Sequence, residues 1–301
     1  MARPDHRKAS RLLACGLLAG TLPVVPRAQA PASQVFVGRT DIVPVYVAVT
    51  DRDGRPVEDL GAGDFAVMAD GHRQVIQLFS AAPHPIAVVI AFDWNGLSLL
   101  AAGVYRSVEA AQALTGALAP DDEVAVGSRD RLIAPRTLNK AAVIDLLRGN
   151  RWSADWTPAS RPTPTDLDWA LATLEPATGR RLIFLFTEGS GYFAPAVAAG
   201  SFAKRAAKAD IALHAIAFED SRIDPAFMRA MADQGGSAVL LSRGADLAKT
   251  FHEIVDELHR EYLLGFAPAT FDGKRHSIEV KVARPNVTIR ARRSYVADIK
   301  R

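Results

Sequence analysis

The sequence predicts an α/β protein in which a mostly parallel sheet carries helices on both faces, joined to a small antiparallel β-sandwich. Between residues 85 and 261, strand-like apolar runs alternate with amphipathic stretches, which is typical of a parallel sheet. The segments on either side alternate apolar and polar residues, as antiparallel strands with one solvated face do. With 301 residues, 49% of them hydrophobic, the chain can bury one full core and a smaller second one.

The first thirty residues predict a secretory signal. A basic start is followed by an apolar stretch from Leu12 to Val25 and by Ala28-Gln29-Ala30, a small-residue pattern typical of a cleavage site. The apolar stretch is shorter than the roughly 20 residues that a membrane span needs. We therefore expect an exported protein, periplasmic or extracellular, whose mature chain has no membrane span. Cys15, the only cysteine, falls within the signal, so no disulfide is expected.

Removal of this signal changes the charge balance of the chain. Residues 1–30 contain five of the 36 basic side chains and one of the 33 acidic ones, which leaves 31 basic and 32 acidic side chains. A protein that binds nucleic acid usually carries an excess of positive charge. The sequence therefore predicts no nucleic-acid partner.

Five strands and six helices are predicted within the α/β region. The strands are residues 86–92, 123–128, 181–186, 211–218 and 237–241. Most of them are apolar throughout, as expected of strands covered on both faces. The helices are residues 101–118, 139–149, 166–175, 195–209, 225–234 and 245–261.

The flanking segments show period-two patterns broken by turn signals. Asp53-Gly54 and Asp70-Gly71 interrupt the first flank, and Asp272-Gly273 interrupts the second. Neither flank has enough strands for a stable sheet of its own, and chain ends often lie close together. We therefore expect residues 31–83 and 262–301 to pair into one β-sandwich, with the domain of residues 84–261 inserted between them.

Two carboxylates are predicted at the carboxyl edge of the parallel sheet. Ligands of such sheets bind beyond the carboxyl ends of the strands, where the strand order reverses. Asp93 directly follows the first strand, and Glu188 follows the third strand after Thr187. Between them Thr165 precedes a helical pattern and could cap that helix.

These residues resemble the metal-ion-dependent adhesion site of von Willebrand factor A domains, in the sub-type of secreted bacterial proteins. In that family one strand ends in Asp-x-Ser-x-Ser, a Gly-Gly-Thr precedes a helix, and another strand ends in Thr-Asp-Gly. The corresponding segments here are Asp93-Trp94-Asn95-Gly96-Leu97, TDLDWAL from Thr165, and Thr187-Glu188-Gly189. Residues 49–71 and 260–297 resemble the family's flanking segments, so the resemblance covers nearly all of the mature chain.

The resemblance implies a divalent cation such as Mg²⁺ at this edge, with one position open for an acidic residue of a partner. The implied metal ligands are Asp93, Asn95, Thr165 and Glu188. Asn95 offers a carbonyl oxygen in place of a hydroxyl, and Glu188 is one methylene longer than aspartate. Leu97 offers no ligand, so the site is expected to be degenerate. Two alternatives remain open: Asp93 and Glu188 cap helices or accept hydrogen bonds from loop amides, or this edge binds a partner without metal.

The expected function is protein–protein interaction of the adhesion type at this carboxyl edge, without enzymatic activity. The sequence does not identify the partner or the oligomeric state. An alternative is an envelope scaffold whose α/β domain has lost its ligand function and whose sandwich mediates assembly. A hydrolase is disfavoured, because a nucleophile elbow has glycines two residues before and after its serine, and around Ser190 these positions are Glu188 and Tyr192.

Some histidines and arginines outside this edge are expected to be structural. His214 lies in the middle of an apolar strand and is predicted to be a core residue. His252 and His259 are seven residues apart on one helix face, which is expected to be solvated or packed against the sandwich. Arg290, Arg292 and Arg293 fall on a strand, with the first two on one face, and we expect them to form a solvated edge that resists strand pairing.

Overall fold

The computed structural model describes residues 42–92, 101–128, 131–149, 167–187, 196–219 and 236–297, with the backbone alone at 101–102, 131 and 196–200. Its strands are β1 (Val43–Thr50), β2 (Phe65–Ala69), β3 (His72–Gln74), β4 (Leu78–Ser80), β5 (Ile86–Phe92), β6 (Glu123–Ser128), β7 (Arg131–Thr137), β8 (Arg180–Phe186), β9 (Ile211–Phe218), β10 (Ser237–Leu241), β11 (Tyr262–Phe266), β12 (Arg275–Val282), β13 (Thr288–Ala291) and β14 (Ser294–Val296). Its helices are α1 (Ala101–Ala117), α2 (Lys140–Arg148), α3 (Asp168–Leu174), α4 (Ala196–Lys208) and α5 (Leu247–His259), with a short 3-10 helix at Ala62–Asp64. None of these helices is long and apolar enough to cross a membrane.

The central sheet has the strand order β10-β9-β8-β5-β6-β7. β5 pairs in parallel with β6 on one side and with β8 on the other, and β9 and β10 continue the parallel pairing beyond β8. The chain first builds outward from β5 through β6 and β7, and then returns to place β8 on the other side of β5. The strand order therefore reverses between β5 and β8, and the predicted mostly parallel sheet is confirmed.

Both faces of the central sheet are covered by helices, as predicted. Every residue of β5 is buried, and alternate residues face opposite sides. On one face α1, α2 and α5 contribute buried side chains such as Leu114, Leu147 and Phe251. On the other face α3 and α4 contribute Leu174 and Phe202. β5 and β8 are thus followed by helices on opposite faces of the sheet, since α1 follows β5 and α4 follows β8.

β7 is a strand that the sequence patterns did not predict. It pairs antiparallel with β6 at the edge of the sheet, and the pairing contains register shifts around Val126. Pro135 lies inside β7. Proline cannot donate a ladder hydrogen bond and is therefore confined to edge strands and bulges, which explains both the position of β7 and its weak strand signal.

The two flanks of the chain form the predicted antiparallel β-sandwich. One sheet has the order β13-β1-β11-β4 and the other β14-β12-β2-β3, so each contains strands from both ends of the chain. Their inner faces share one core, in which Val47, Phe65, Tyr262 and Phe266 are almost completely buried. Strands that come from opposite ends of the sequence stabilise each other, because neither flank has a complete sheet alone.

A buried ion pair lies where the α/β domain meets the sandwich. Arg180 Nε at the start of β8 lies 3.0 Å from Glu261 Oε2, and the two side chains are 5% and 1% exposed. The Arg180 guanidinium also lies over the Tyr46 ring of β1, 4.5 Å from its centre. Burial raises the pKa of Tyr46 to about 12, so its hydroxyl stays neutral. Charged and aromatic groups from β8, β1 and the residue before β11 thus form one buried contact.

The expectation of a solvated edge at Arg290 and Arg292 is wrong. Arg290 Nη2 lies 2.8 Å from Glu257 Oε1, at the end of α5. Arg292 is only 8% exposed and forms an ion pair with Asp210, in the turn between α4 and β9. Its Nε also donates to the Ser294 carbonyl oxygen at 2.9 Å. The acidic partners are distant in sequence, so the alternation of the strand gave no sign of them.

His276 connects two turns of the sandwich. Its Nδ1 lies 2.6 Å from Asp70 Oδ2, and its Nε2 lies 3.0 Å from Asp272 Oδ1. The ring stacks on Tyr295 with 5.1 Å between the ring centres. The hydrogen bond to Asp70, followed by the one to Asp272, raises the pKa of His276, and the same bonds lower the pKa values of both carboxyls.

This arrangement predicts a pH dependence of stability. A histidine whose pKa is raised by folding contributes its full stabilisation below its ordinary pKa of about 6.5, and the contribution is lost as the pH rises through the folded-state pKa. The melting temperature should therefore fall as the pH rises above about 6.5 and through the raised pKa of His276. In His276→Gln the fall should be smaller. His259, whose pKa is also raised, is present in both proteins and cancels in the comparison. Equal falls in both proteins would contradict the prediction.

Candidate functional site

The strand order of the central sheet reverses between β5 and β8, and open α/β sheets form their ligand-binding crevice beyond the carboxyl ends of the strands at such a reversal. We call this place the crevice. β5 and β8 are hydrogen-bonded neighbours, and Phe92 at the end of β5 pairs with Phe186 at the end of β8. The two strands therefore end at the same level. Since their following helices lie on opposite faces, the chain diverges above these two ends, which is where open α/β sheets bind ligands.

The predicted metal ligands Asp93, Asn95, Thr165 and Glu188 lie outside the described residues, as does Leu97. Their nearest described neighbours fix the points from which these segments leave the sheet. Asp93 is the next residue after Phe92 in the sequence. Thr187, the residue before Glu188, is fully buried, and its N–H donates to the Ile216 carbonyl oxygen at 2.9 Å.

The predicted segment that starts at Thr165 leads in sequence into α3. Thr165 is two residues before Leu167, which is 2% exposed and packs in the core between the sheet and α3 and α4. α3 begins at Asp168, slightly later than the predicted start at residue 166. Asp168 Oδ1 accepts a hydrogen bond from Arg205 Nη2 of α4 at 2.5 Å. The start of α3 is thus held by one buried leucine and one ion pair.

Three phenylalanines pack at the carboxyl ends of the central strands, in the core between the sheet and α1 and α5. Phe92, Phe186 and Phe218 are the last residues of β5, β8 and β9, and each is at most 2% exposed. The ring centres of Phe92 and Phe186 are 5.6 Å apart, and Phe251 of α5 lies 6.1 Å from Phe186. Charges held above such a surface interact more strongly than in water, because the effective dielectric constant is lower.

Several polar residues at this edge were missed from the sequence. Glu219 directly follows β9 and is exposed, and its N–H donates to the Leu241 carbonyl oxygen at 3.0 Å. Arg106 of α1 donates to the Ser242 carbonyl oxygen at 3.2 Å, and its guanidinium lies 4.3 Å from the centre of the Phe218 ring. Tyr105 is 60% exposed. β9 ends in Phe218 and is followed by Glu219, just as β5 ends in Phe92 and is followed by Asp93. This repeated pattern in the sequence could have identified Glu219.

His214 is a core residue, as predicted. It is 1% exposed, stacks on Phe184, and its Nδ1 lies 2.8 Å from Ser237 Oγ. Burial, followed by the nearby Arg290 and Arg180, holds the pKa of His214 well below its ordinary value, so the ring is neutral. It lies four residues before the end of β9, about 13 Å below the carboxyl edge. This histidine cannot act as a base at the crevice.

His259 has a structural partner at the opposite, amino edge of the sheet. Its Nε2 lies 3.0 Å from Asp122 Oδ1, and the fully buried Asp122 also accepts hydrogen bonds from the N–H groups of Ile86 and Ala119. The hydrogen bond to Asp122 raises the pKa of His259. His252 lies on the exposed side of α5, 3.7 Å from Asp256. Within the part of the chain that the structure describes, no group of three or more His, Cys, Asp or Glu is placed to hold a metal ion.

No family model matches the chain, and no curated protein matches it. Among solved structures, a von Willebrand factor type A protein from Catenulispora acidiphila is 13% identical, with 87% of this chain and 75% of that chain covered and a TM-score of 0.48. BatB from Bacteroides thetaiotaomicron is 14% identical, with 58% and 98% covered and a TM-score of 0.44. The manganese-loaded TRAP protein of Plasmodium vivax is 11% identical, with 72% and 97% covered and a TM-score of 0.40. At such identities the similarity concerns the fold.

Proposed function

We propose that this chain is an exported, non-enzymatic interaction protein that binds a partner protein at the crevice above β5 and β8. The observation that carries the proposal is the level ending of these two strands at the reversal of strand order. Asp93 and Glu188 follow those endings directly or after one residue, so both carboxylates are attached at adjacent points. In this proposal residues 1–30 are the export signal.

A divalent cation would be held at this crevice chiefly by Asp93 and Thr165, with Asn95 and Glu188 as weaker ligands. Oxygen donors of this kind suit Mg²⁺ and Mn²⁺. When bound, the cation would supply a positive centre for an acidic side chain of the partner. Because Leu97 provides no ligand, we expect weaker binding than a complete set of oxygen donors would give.

Three described residues near the carboxyl edge of the sheet suit a protein partner. Tyr105 exposes most of its side chain, and tyrosine is enriched among residues that dominate binding energies at interfaces. Arg106 and Glu219 add one positive and one negative charge at the ends of β9 and β10. A partner surface with an acidic residue next to an apolar pocket fits this combination.

Calorimetric titration of Mg²⁺ and Mn²⁺ into the metal-stripped protein tests the proposed metal ligands. Saturable heat is expected in the unmodified chain, and Asp93→Ala should abolish it. Asp145→Ala is the matched control, because Asp145 lies exposed on α2 and should leave the heat unchanged. A cation that binds the folded state should also raise its melting temperature, in the unmodified chain and the control alone.

Two results would contradict the metal site. Heat that persists in Asp93→Ala would place the cation elsewhere. No heat in any protein would show that the edge, which has Leu97 where an oxygen ligand is expected, binds no cation. In the second case, Tyr105→Ala and Asp93→Ala should still weaken capture of a partner if the edge binds without metal. Unchanged capture in both variants would favour the scaffold alternative.

A further inference from the structure

A second concave surface lies between α4 and the sandwich, away from the crevice. This groove has a volume of about 380 Å³. Lys204, Arg205 and Lys208 line it from the second half of α4, and Arg275 and Ser294 line it from β12 and β14. Because α4 starts near the carboxyl edge and ends shortly before β9, these residues lie toward the amino edge of the central sheet. We call this surface the basic groove.

The walls of the basic groove are fixed relative to each other. Arg292, next to β14, pairs with Asp210 after α4, and its Nη2 donates to the Ala207 carbonyl oxygen at 3.4 Å. On the sandwich side, Arg275 Nε donates to Ser294 Oγ at 2.8 Å, and Ser294 is only 4% exposed. A ligand would therefore meet a groove whose shape exists before binding, which lowers the entropic cost of association.

The charge of the basic groove is one-sided. Four cationic side chains line it, and none of its described lining residues is acidic. Carboxylates close to the groove are engaged with other groups, since Asp168 pairs with Arg205, Asp210 pairs with Arg292, and Asp272 pairs with His276. Basic residues in the last turn of a helix interact favourably with the helix dipole, which explains why Arg205 and Lys208 are found there. That effect does not account for Arg275, which faces them from a different wall.

We propose that the basic groove binds an acidic, extended segment of a partner protein. Lys204 and Lys208 are four residues apart on α4, so they are separated by about 6 Å along the helix axis. Side chains at alternate positions of an extended peptide are about 6.6 to 6.8 Å apart. Two such carboxylates would match Lys204 and Lys208, and a third would reach Arg275 on the opposite wall. The methylene stems of these side chains supply apolar contact for the peptide backbone.

Fluorescence anisotropy tests this proposal with the full chain. The probe is a fluorescein-labelled peptide of about eight residues that alternates Glu and Ser, and a peptide with Gln in place of Glu is the neutral control. Binding of the acidic peptide should weaken between roughly 50 and 200 mM salt, because its ion pairs are exposed. The combined variant Lys204→Gln, Lys208→Gln, Arg275→Gln should bind it about tenfold more weakly.

A matched variant separates local contacts from net charge. Arg148→Gln, Lys249→Gln, Lys281→Gln removes three exposed cations that do not line the groove, and it should change the affinity by less than about twofold. Melting temperatures verify that both combined variants are folded. Equal binding of the acidic and neutral peptides, no binding of the acidic peptide, or equal losses in the two variants would each overturn the proposal. Asp93→Ala should leave peptide binding unchanged, since the crevice is a separate site.

Discussion

Replacing Glu261 with Gln is expected to lower the free energy of unfolding by about 3 to 5 kcal/mol. The substitution keeps the shape of the side chain but removes the buried negative charge beside Arg180, whose own side chain is 5% exposed. Glu261 Oε1 also lies 3.6 Å from Arg290 Nη2, so a second cation loses part of its electrostatic stabilisation. Urea denaturation of both proteins, with equal slopes against denaturant, gives the difference.

The control for this substitution is Glu253→Gln on the exposed side of α5. Glu253 lies 4.0 Å from Lys249, and both side chains are about two-thirds exposed or more, so its loss should cost less than about 0.5 kcal/mol. Changing Arg180 to Met together with Glu261 to Leu should recover part of the lost stability, because no unpaired charge of this pair is then buried. A Glu261→Gln variant as stable as the control would show that the pair contributes nothing.

Gly236→Ala is expected to lower the free energy of unfolding by about 3 kcal/mol. A methyl group at this position would overlap the carbonyl oxygen of Leu213 and lie 2.9 Å from its amide nitrogen. These are backbone atoms of β9, and Leu213 is paired with Ile183 of β8 in the middle of the sheet. Relief of the overlap requires β10 to move away from β9, which breaks the pairing of Ser237 with His214.

Gly116→Ala is the matched control, and it is expected to raise the stability although the chemical change is the same. Gly116 lies in α1, and a methyl group there would meet no atom within 4 Å. Alanine is favoured over glycine inside a helix, so this variant should be more stable by about 0.5 to 1 kcal/mol. Thermal unfolding followed by circular dichroism compares the two. Similar behaviour of both variants would contradict the close approach of β9 and β10.

The central domain was largely predictable because its strands are buried on both faces. The run of residues 86–92 matches β5 at both ends, and residues 211–218 match β9. Continuous apolar runs of this length have few alternative structures in an α/β alternation. β7 escaped prediction since an edge strand needs no such run, and Pro135 argues locally against a strand.

Interactions between distant segments were not predictable in the same way. The burial of Arg292 depends on Asp210, and the role of Asp122 depends on His259, 137 residues away. Hydrophobic periodicity reports which face of an element is covered, but it does not report which charges come to that face. The expectation for Arg290 and Arg292 failed for this reason, whereas that for His214 held because an apolar strand defines its own surroundings.

The sequence predicted where on the sheet the candidate site lies, but it did not predict which residues of other elements lie near that edge. The rule that ligands bind where the strand order reverses required only the order of the strands, and the structure places that point between β5 and β8. Asp93 and Glu188 were chosen as candidates because they extend strand patterns, and both lie outside the described residues. Glu219 extends β9 in the same way, but no resemblance drew attention to it. Tyr105 and Arg106 gave no local signal, as they belong to a helix that reaches this edge only through the fold.

The insertion of the α/β domain into the sandwich also has a mechanical consequence. The chain leaves the sandwich at the end of β4 and re-enters it at β11, and Ser80 is paired with Leu263 across these strands. Force applied to the α/β domain is therefore divided between two covalent connections that enter neighbouring strands of one sheet. The α/β domain is connected to the sandwich at both of its ends. A pulling force therefore acts on the hydrogen bonds of β11 with β1 and with β4 at the same time, and it does not extend a single linker.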